Sequence, residues 1–176
     1  MPILPDVLAP GLDVVFCGTA PGEKSARAGA YYAGPGNQFW PVLYRTGLTP
    51  YQLAPAEFRL MPTFGLGLTD LVKEHYGQDE QLPKDAFDSV GLRQKIVDCA
   101  PKILAFTSKR AAKEFLGRAV AYGWQEETIG TTKIYVLPST SGQARRFWQE
   151  GYWQALAQTV RVAVDKVGSG DLKKSD

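Results

Sequence analysis

Three runs of consecutive apolar residues, each followed by Gly, Pro or hydroxyl residues, predict the buried strands of this chain. They are LDVVFCG (12–18), KILAFTS (102–108) and TKIYVLP (132–138). Short continuous apolar runs rich in β-branched residues are typical of strands that are covered on both faces. The pattern therefore predicts a central sheet with further elements packed on each side of it.

Apolar positions spaced three or four residues apart predict the helices. The predicted helices are Asn37–Gly47, with Asn37 as its N-cap, Leu92–Asp98, Lys109–Arg118 and Arg146–Val167. The last of them presents one apolar face, made of Trp148, Tyr152, Leu156, Val160 and Val164. Residues 22–36 and 64–72 are expected to be irregular. Because strands and helices alternate, we expect a three-layer α/β/α domain with a mostly parallel central sheet.

Composition favours one ordinary globular domain. The chain has 176 residues, of which 44% are hydrophobic and 22% charged, and its net charge is +2. We expect a single domain over residues 1–167 and a disordered tail over 168–176. The start, MPILPDVLAPGL, has no basic region before its apolar residues, so it is not typical of a signal peptide, and we expect a cytoplasmic protein without a membrane partner. Cys17 and Cys99 are expected to be reduced and buried.

Two segments rich in glycine and hydroxyl residues come directly after predicted strands, and they predict a pocket. They are FCGTAPG (16–22) and LPSTSGQARR (137–146). Loops at the carboxyl ends of parallel strands form the ligand crevice of an open α/β sheet. We therefore expect both segments to border one binding site.

Several kinds of chemistry are excluded by what the chain contains. Its one histidine, His75, lies in the polar stretch KEHYGQDE and is expected to be solvated, which argues against a Ser-His-Asp hydrolase. Cys and His are too few for a typical metal centre, and GTAPGEK has the spacing of neither a dinucleotide fingerprint nor a P-loop. Catalysis would therefore depend on carboxylates, hydroxyls and backbone donors.

Four segments in order, GTAPG, SARAGAYYAGPGNQFW, GLGLTDLV and LPSTSGQAR, resemble the mismatch-specific uracil-DNA glycosylase and thymine-DNA glycosylase family. The resemblance covers about residues 14–163. It implies an enzyme that flips a base out of DNA and hydrolyses its N-glycosidic bond, without a metal or organic cofactor. The implied partner is double-stranded DNA that contains uracil or a mismatched base, with single-stranded DNA left open. A monomer, associated with the nucleoid when it acts, is expected.

The resemblance also implies roles for residues of the first segments. Tyr32 corresponds to the residue on which the family stacks the extruded base. The backbone of Gly18, Thr19 and Ala20 would border the edge of that base. Asn37 is expected to support the pocket or to cap its helix rather than to contact the base directly.

The last segment corresponds to the part of the family that is inserted into the base stack. Gln143 replaces an apolar wedge residue, and the neighbouring arginines are suited to phosphate contacts. The predicted DNA-binding residues are Ser25, Ser141, Gly142, Gln143, Ala144, Arg145 and Arg146. Lys109, Arg110 and Lys113 are expected to form a solvated face rather than further phosphate contacts.

One departure from the family concerns catalysis directly. The family usually presents an asparagine that positions the attacking water, and here that position is Ala20. Either a carboxylate has taken over, with Asp70 and then Glu23 as candidates, or the protein binds lesions without cutting. Asp70 could instead serve as an N-cap. A glycosylase that acts mainly on deaminated purines is a further alternative.

Overall fold

Five strands form one central sheet in the computed structural model, which describes the backbone of residues 1–172 and the side chains of residues 1–163. The strands are β1 (Val14–Gly18), β2 (Leu66–Asp70), β3 (Ile103–Phe106), β4 (Gly123–Ile129) and β5 (Thr132–Val136). Their spatial order is β2-β1-β3-β5-β4. All neighbours are parallel except β4 and β5, which are antiparallel. The predicted mostly parallel sheet is confirmed.

Helices cover both faces of this sheet. Successive side chains of each strand point to opposite sides, so both faces are apolar and both need to be covered. Val14 and Phe16 of β1 belong to one apolar cluster, whereas Val15 and Cys17 belong to the other. The α-helices are α1 (Glu23–Ala28), α2 (Phe39–Arg45), α3 (Ser89–Cys99), α4 (Lys109–Leu116) and α5 (Glu150–Leu172). Helices α2 and α5 pack on the first cluster, and α3 and α4 pack on the second. This is the predicted three-layer arrangement.

Strand β2 corrects the expectation that residues 64–72 are irregular. Its five residues are fully buried and pair in register with β1, so that Gly18 lies beside Asp70. The glycine inside the strand has a structural reason, since a Cβ on Gly67 would lie 2.7 Å from both Leu12 Cδ1 and the Val7 carbonyl oxygen. The N-terminal segment can therefore approach the edge of the sheet only because no side chain is present there.

Other boundaries also differ from the sequence-based prediction. The expected loop 22–36 contains α1, which ends at Gly29 in a left-handed conformation. Strand β4 was not predicted, since polar residues occupy most of it. The residues before α5 form a separate 3-10 helix, Gly142–Phe147. Three other 3-10 helices lie in the described chain: Pro55–Phe64, Asp79–Gln81 and Lys84–Ala86.

The long terminal helix packs on the sheet through a face close to the predicted one. Trp153, Leu156 and Ala157 are fully buried, and Tyr152 and Val160 pack against the same cluster. The predicted tail, 168–176, overlaps the end of this helix, and residues 173–176 lie outside the described residues, as does the side chain of Val164. Within the described helices, none is both long and apolar enough to span a lipid bilayer.

Candidate active site

The polar residues of the predicted site lie at one edge of the sheet. This edge is formed by the carboxyl ends of the four parallel strands β1, β2, β3 and β5. From β1 the chain goes to β2 on one side and later to β3 on the other, so the order of the strands reverses beside β1. Ligands of open α/β sheets bind at such a switch point. Gly18 and Thr107 leave the sheet there, and the Thr107 amide donates to the Cys17 carbonyl at 3.0 Å.

Gly18 is the point on which three polar side chains converge. A Cβ at that position would lie 3.0 Å from Asp70 Oδ1, 3.4 Å from the Tyr32 hydroxyl and 3.5 Å from Thr107 Oγ1. Sequence reasoning found Gly18, Tyr32 and Asp70 but missed Thr107. Thr107 could have been found as the first polar residue after β3, the strand next to β1 where the strand order reverses.

Asp70 is a carboxylate enclosed by the protein. Its side chain ends β2, only 5% of the residue is exposed, and Oδ2 has no hydrogen-bond partner among the described residues. Burial raises the pKa of Asp70 to about 7, with Asp6 adding to the rise and Lys73 and Lys95 opposing it. The carboxyl group therefore changes its charge near neutral pH, as a general base needs to do.

Tyr32 presents an aromatic ring in a fixed orientation. Its ring stacks on Phe39 with centroids 3.9 Å apart and an interplanar angle of 21°. Its backbone has φ +52°, which is uncommon outside glycine. The hydroxyl forms a 3.0 Å hydrogen bond with Thr107, and burial raises the pKa of Tyr32, so the hydroxyl stays protonated. Phe39 thus supports one face of the Tyr32 ring.

The residues after Gly18 are held mainly by backbone bonds. The carbonyls of Gly18 and Thr19 accept from the amides of Leu71 and Val72, at 3.0 and 2.7 Å. The Thr19 hydroxyl donates to Asp79 Oδ1 at 2.6 Å. Ala20 follows as a half-buried residue. The predicted first lip is therefore a firmly anchored turn beside Asp70.

Asn37 and Ser25 support the loop that carries Tyr32. Asn37 Oδ1 accepts from the Phe39 amide at 2.9 Å, whereas the N-cap position itself is occupied by Gln38. Ser25 is 6% exposed, and its hydroxyl oxygen accepts from the Ala33 amide at 3.0 Å. These positions favour a structural role for both side chains, and for Ser25 they argue against contact with a phosphate.

Glu23 is not part of the convergence at Gly18. Its side chain is 60% exposed and pairs with Arg27 one turn later in α1, at 2.7 Å. Such an exposed pair contributes little to stability, and it leaves Asp70 as the buried carboxylate of the site.

The second predicted lip lies against the glycine-rich turn before α2. The Gln38 amide donates to the Thr140 carbonyl at 2.8 Å, and a Cβ on Gly142 would lie 3.5 Å from the Pro35 carbonyl. Ser141 caps the 3-10 helix through the amide of Gln143. Gln143, Arg145 and Arg146 are exposed, while Ala144 is half-buried, so the polar side chains of this lip are accessible from solvent.

A strap, residues 73–82, joins the two lips. The Gly77 amide donates to the Pro21 carbonyl at 2.9 Å, and Gln78 Nε2 donates to Gln143 Oε1 at 3.3 Å. His75, which the sequence analysis expects to be solvated, is exposed in this strap. Among the described residues no group of three or more His, Cys, Asp or Glu could hold a metal ion.

Two of the three basic residues of α4 contact neighbouring side chains. Arg110 pairs with Glu114 at 2.9 Å, and the Lys109 ammonium lies 4.4 Å from the centroid of the Tyr122 ring. Lys113 is exposed. This placement agrees with the expectation of a solvated face.

The fold and the site define a class of open α/β domain with a cluster of polar side chains at the carboxyl edge of its sheet, where the strand order reverses. Within that class the chain belongs to the uracil DNA glycosylase superfamily, whose family model matches residues 5–157. Members of this superfamily are DNA glycosylases, which are hydrolases that act on DNA.

A solved structure agrees with this assignment at the level of the fold. It is a solution NMR structure described as "a putative Uracil DNA glycosylase from Methanosarcina acetivorans". The two chains share 24% identity, with a TM-score of 0.65, and the match covers 90% of this chain and 96% of that one. The likeness confirms the three-layer α/β fold.

Proposed function

We propose that this protein is a monofunctional DNA glycosylase of the mismatch-specific uracil and thymine type, which removes uracil from DNA with Asp70 as its catalytic carboxylate. The observation that carries the proposal is the buried Asp70 side chain, whose Oδ1 converges on Gly18 together with the Tyr32 hydroxyl. The family membership supplies the class of reaction, and the resemblance of GTAPG, AGPGNQFW and SGQAR supplies the type.

The flipped base would stack on the face of Tyr32 opposite Phe39. An aromatic face is what an extruded base needs after it leaves the stack of its neighbours. Because Phe39 and the bond to Thr107 hold the ring in place, little order is lost when the base binds. Backbone groups of residues 18–20 would then border the edge of the base.

Hydrolysis would proceed through an oxocarbenium-like sugar. The bond between C1′ and the base nitrogen breaks with both electrons going to the base, and a water oxygen forms the new bond to C1′. The ionised Asp70 stabilises the positive sugar and accepts the proton that this water loses. In this scheme a carboxylate replaces the asparagine that the family places at the position of Ala20.

The second lip would hold the DNA open. Gln143 is exposed at the tip of the 3-10 helix, where it could fill the space of the extruded base and form hydrogen bonds with the opposite base. Arg145 and Arg146 beside it would contact phosphates, which give affinity without sequence preference.

A single-turnover assay of uracil release from U·G and U·A duplexes and single strands tests the proposal. We expect release by the wild type and a drop in rate of about 10²-fold or more in Asp70→Asn, with DNA binding within a few-fold. Glu23→Gln, an acid-to-amide change at the exposed candidate, is the matched control and should keep the wild-type rate. Binding of uracil DNA without release by the wild type would instead identify a non-catalytic lesion-binding protein.

A further inference from the structure

The strand that carries Asp70 is bordered on its outer side by the N-terminal segment. Val7 and Leu68 exchange two backbone hydrogen bonds, each 2.9 Å long, and the Ile3 amide donates to the Lys73 carbonyl at 2.7 Å. Residues 3–7 therefore follow the edge of β2 up to the end at which Asp70 lies. The sequence pattern predicts no functional role for this segment.

Asp6, in the middle of this segment, accepts three hydrogen bonds from side chains. Thr69 Oγ1 and Lys73 Nζ donate to Oδ1 at 2.7 and 2.8 Å, and Lys95 Nζ lies 2.7 Å from Oδ2. Burial acts to raise the pKa of Asp6, but the bonds from Lys73, Lys95 and Thr69 outweigh it and hold the pKa below its ordinary value. The carboxylate is thus ionised and fully engaged.

The same network reaches the loop that carries the stacking tyrosine. Lys73 Nζ donates to the Tyr31 hydroxyl at 3.2 Å, and that hydroxyl donates to the Pro5 carbonyl at 2.9 Å. Tyr31 directly precedes Tyr32. The N-terminal segment therefore contacts both sides of the candidate site, the carboxylate strand and the aromatic loop.

We propose that Asp6 is a positioning residue for the reaction, which holds Thr69 and Lys73, before and after Asp70 in the chain, and offsets part of the positive charge of the two ammonium groups that act on Asp70. The inference depends on the proposed function of Asp70. Asp6 itself touches neither the base nor the sugar, so its effect acts through Asp70 and through the Tyr31–Tyr32 loop.

The charges around Asp70 predict the direction in which its pKa moves when one of them is removed. Six titratable groups interact electrostatically with Asp70. They are Cys17, Tyr31, Tyr32, Asp6, Lys73 and Lys95. Burial raises the pKa of the thiol and of both phenols, so these three are neutral at working pH. Asp6 raises the pKa of Asp70, and the two lysines lower it. Loss of Asp6 leaves both ammonium groups without a carboxylate partner, whereas loss of Lys95 removes one of the two positive charges and leaves Lys73 alone to balance Asp6.

Single-turnover excision across pH, measured with the wild type and two variants, tests this. The rate should rise with pH as Asp70 ionises. In Asp6→Asn the midpoint of that rise should move down by roughly one pH unit, and in Lys95→Met it should move up by a similar amount. Asp13→Asn is the matched control, because Asp13 is as exposed as Asp6 (22% against 23%) and pairs with a lysine, Lys102, at 3.1 Å. Its midpoint should equal that of the wild type.

Opposite shifts distinguish a positioning role from simple damage, which would lower the rate at every pH and leave the midpoint unchanged. Midpoints that stay at the wild-type value, or that move in the same direction in both variants, would overturn the inference. If Asp6→Asn does not fold, Lys95→Met still decides, because its midpoint must rise. A wild-type rise that persists in Asp70→Asn would instead refute the proposed function, so the two failures can be told apart.

Discussion

Replacing Asp70 by asparagine should make the protein more stable at alkaline pH while it slows excision by about 10²-fold or more. The folded protein holds this carboxyl group with a pKa of about 7, against an ordinary value of 3.8, chiefly because of burial. The folded state therefore binds a proton that the unfolded state has already lost between these values. Because the folded state binds this proton more tightly than the unfolded state, its stability falls as the proton becomes scarcer. The free energy of unfolding of the wild type should therefore decrease from about pH 4 to pH 7.

The size of the effect follows from the two pKa values. At about 1.4 kcal/mol for each pKa unit, Asp70 destabilises the fold by about 4 kcal/mol at pH 8, where it is ionised, and by less than half of that at pH 5, where the folded protein keeps it protonated. Asparagine has no charge, but it places an amide where Oδ2 has no partner, which costs about 1–3 kcal/mol. We expect Asp70→Asn to be about 1–3 kcal/mol more stable than the wild type at pH 8, and this advantage to shrink by about 2–3 kcal/mol at pH 5.

Urea unfolding followed by tryptophan fluorescence at pH 5 and pH 8 measures this, since four tryptophans are present. Glu23→Gln, at an exposed carboxylate, is the control and should show the same pH dependence as the wild type. If Asp70→Asn and the wild type changed in parallel between the two pH values, the carboxyl group would not be destabilised by burial. The reason given for its catalytic pKa would then be wrong.

Three further results are expected from the remaining site residues. Tyr32→Ala should weaken productive binding of uracil DNA by about 1–3 kcal/mol, whereas Tyr32→Phe, which loses only the bond to Thr107, should be mild; equal damage in single-turnover titrations would show that the hydroxyl is the operative group. Gln143→Ala should slow excision most from stable pairs and least from single strands, and an equal slowing of all substrates would contradict the wedge role. Arg145→Ala should weaken binding to every sequence alike and reduce the slope of log K against log salt by about one, as measured in a salt series.

Much of the sheet could be predicted because its central strands are apolar on both faces. β1 and β3 are buried at every position and β5 at every position except Lys133, and all three follow from their hydrophobic runs. β2 was missed because two of the residues in FGLGL are glycines, which disfavour a strand in a local reading. Gly67 is required by the approach of the N-terminal segment, a contact between distant parts of the chain that no window of sequence contains.

The site shows the same division between local and distant information. Asp70 could be proposed from its residue type and its segment, because a carboxylate can take over the role of the asparagine that is absent at position 20. The predicted N-cap role does not apply, since Asp70 ends a strand. Thr107 could not be assigned, because its partner Tyr32 is 75 residues away. Asp6 was likewise invisible, since its partners come from β2, the strap and α3.

The proposed replacement of an asparagine by a distant carboxylate has a geometric basis in this fold. β1 and β2 are parallel and in register, with Gly18 opposite Asp70, so the chain after each strand leaves the same edge of the sheet. A catalytic group at the end of β2 can therefore reach the crevice that the turn Gly18–Gly22 borders. In this proposal position 20 needs no polar side chain to position the attacking water, provided that the carboxylate at position 70 stays buried. Lys73 and Lys95, which lower the pKa of Asp70 against the effects of burial and of Asp6, reduce the cost of an ionised carboxylate there.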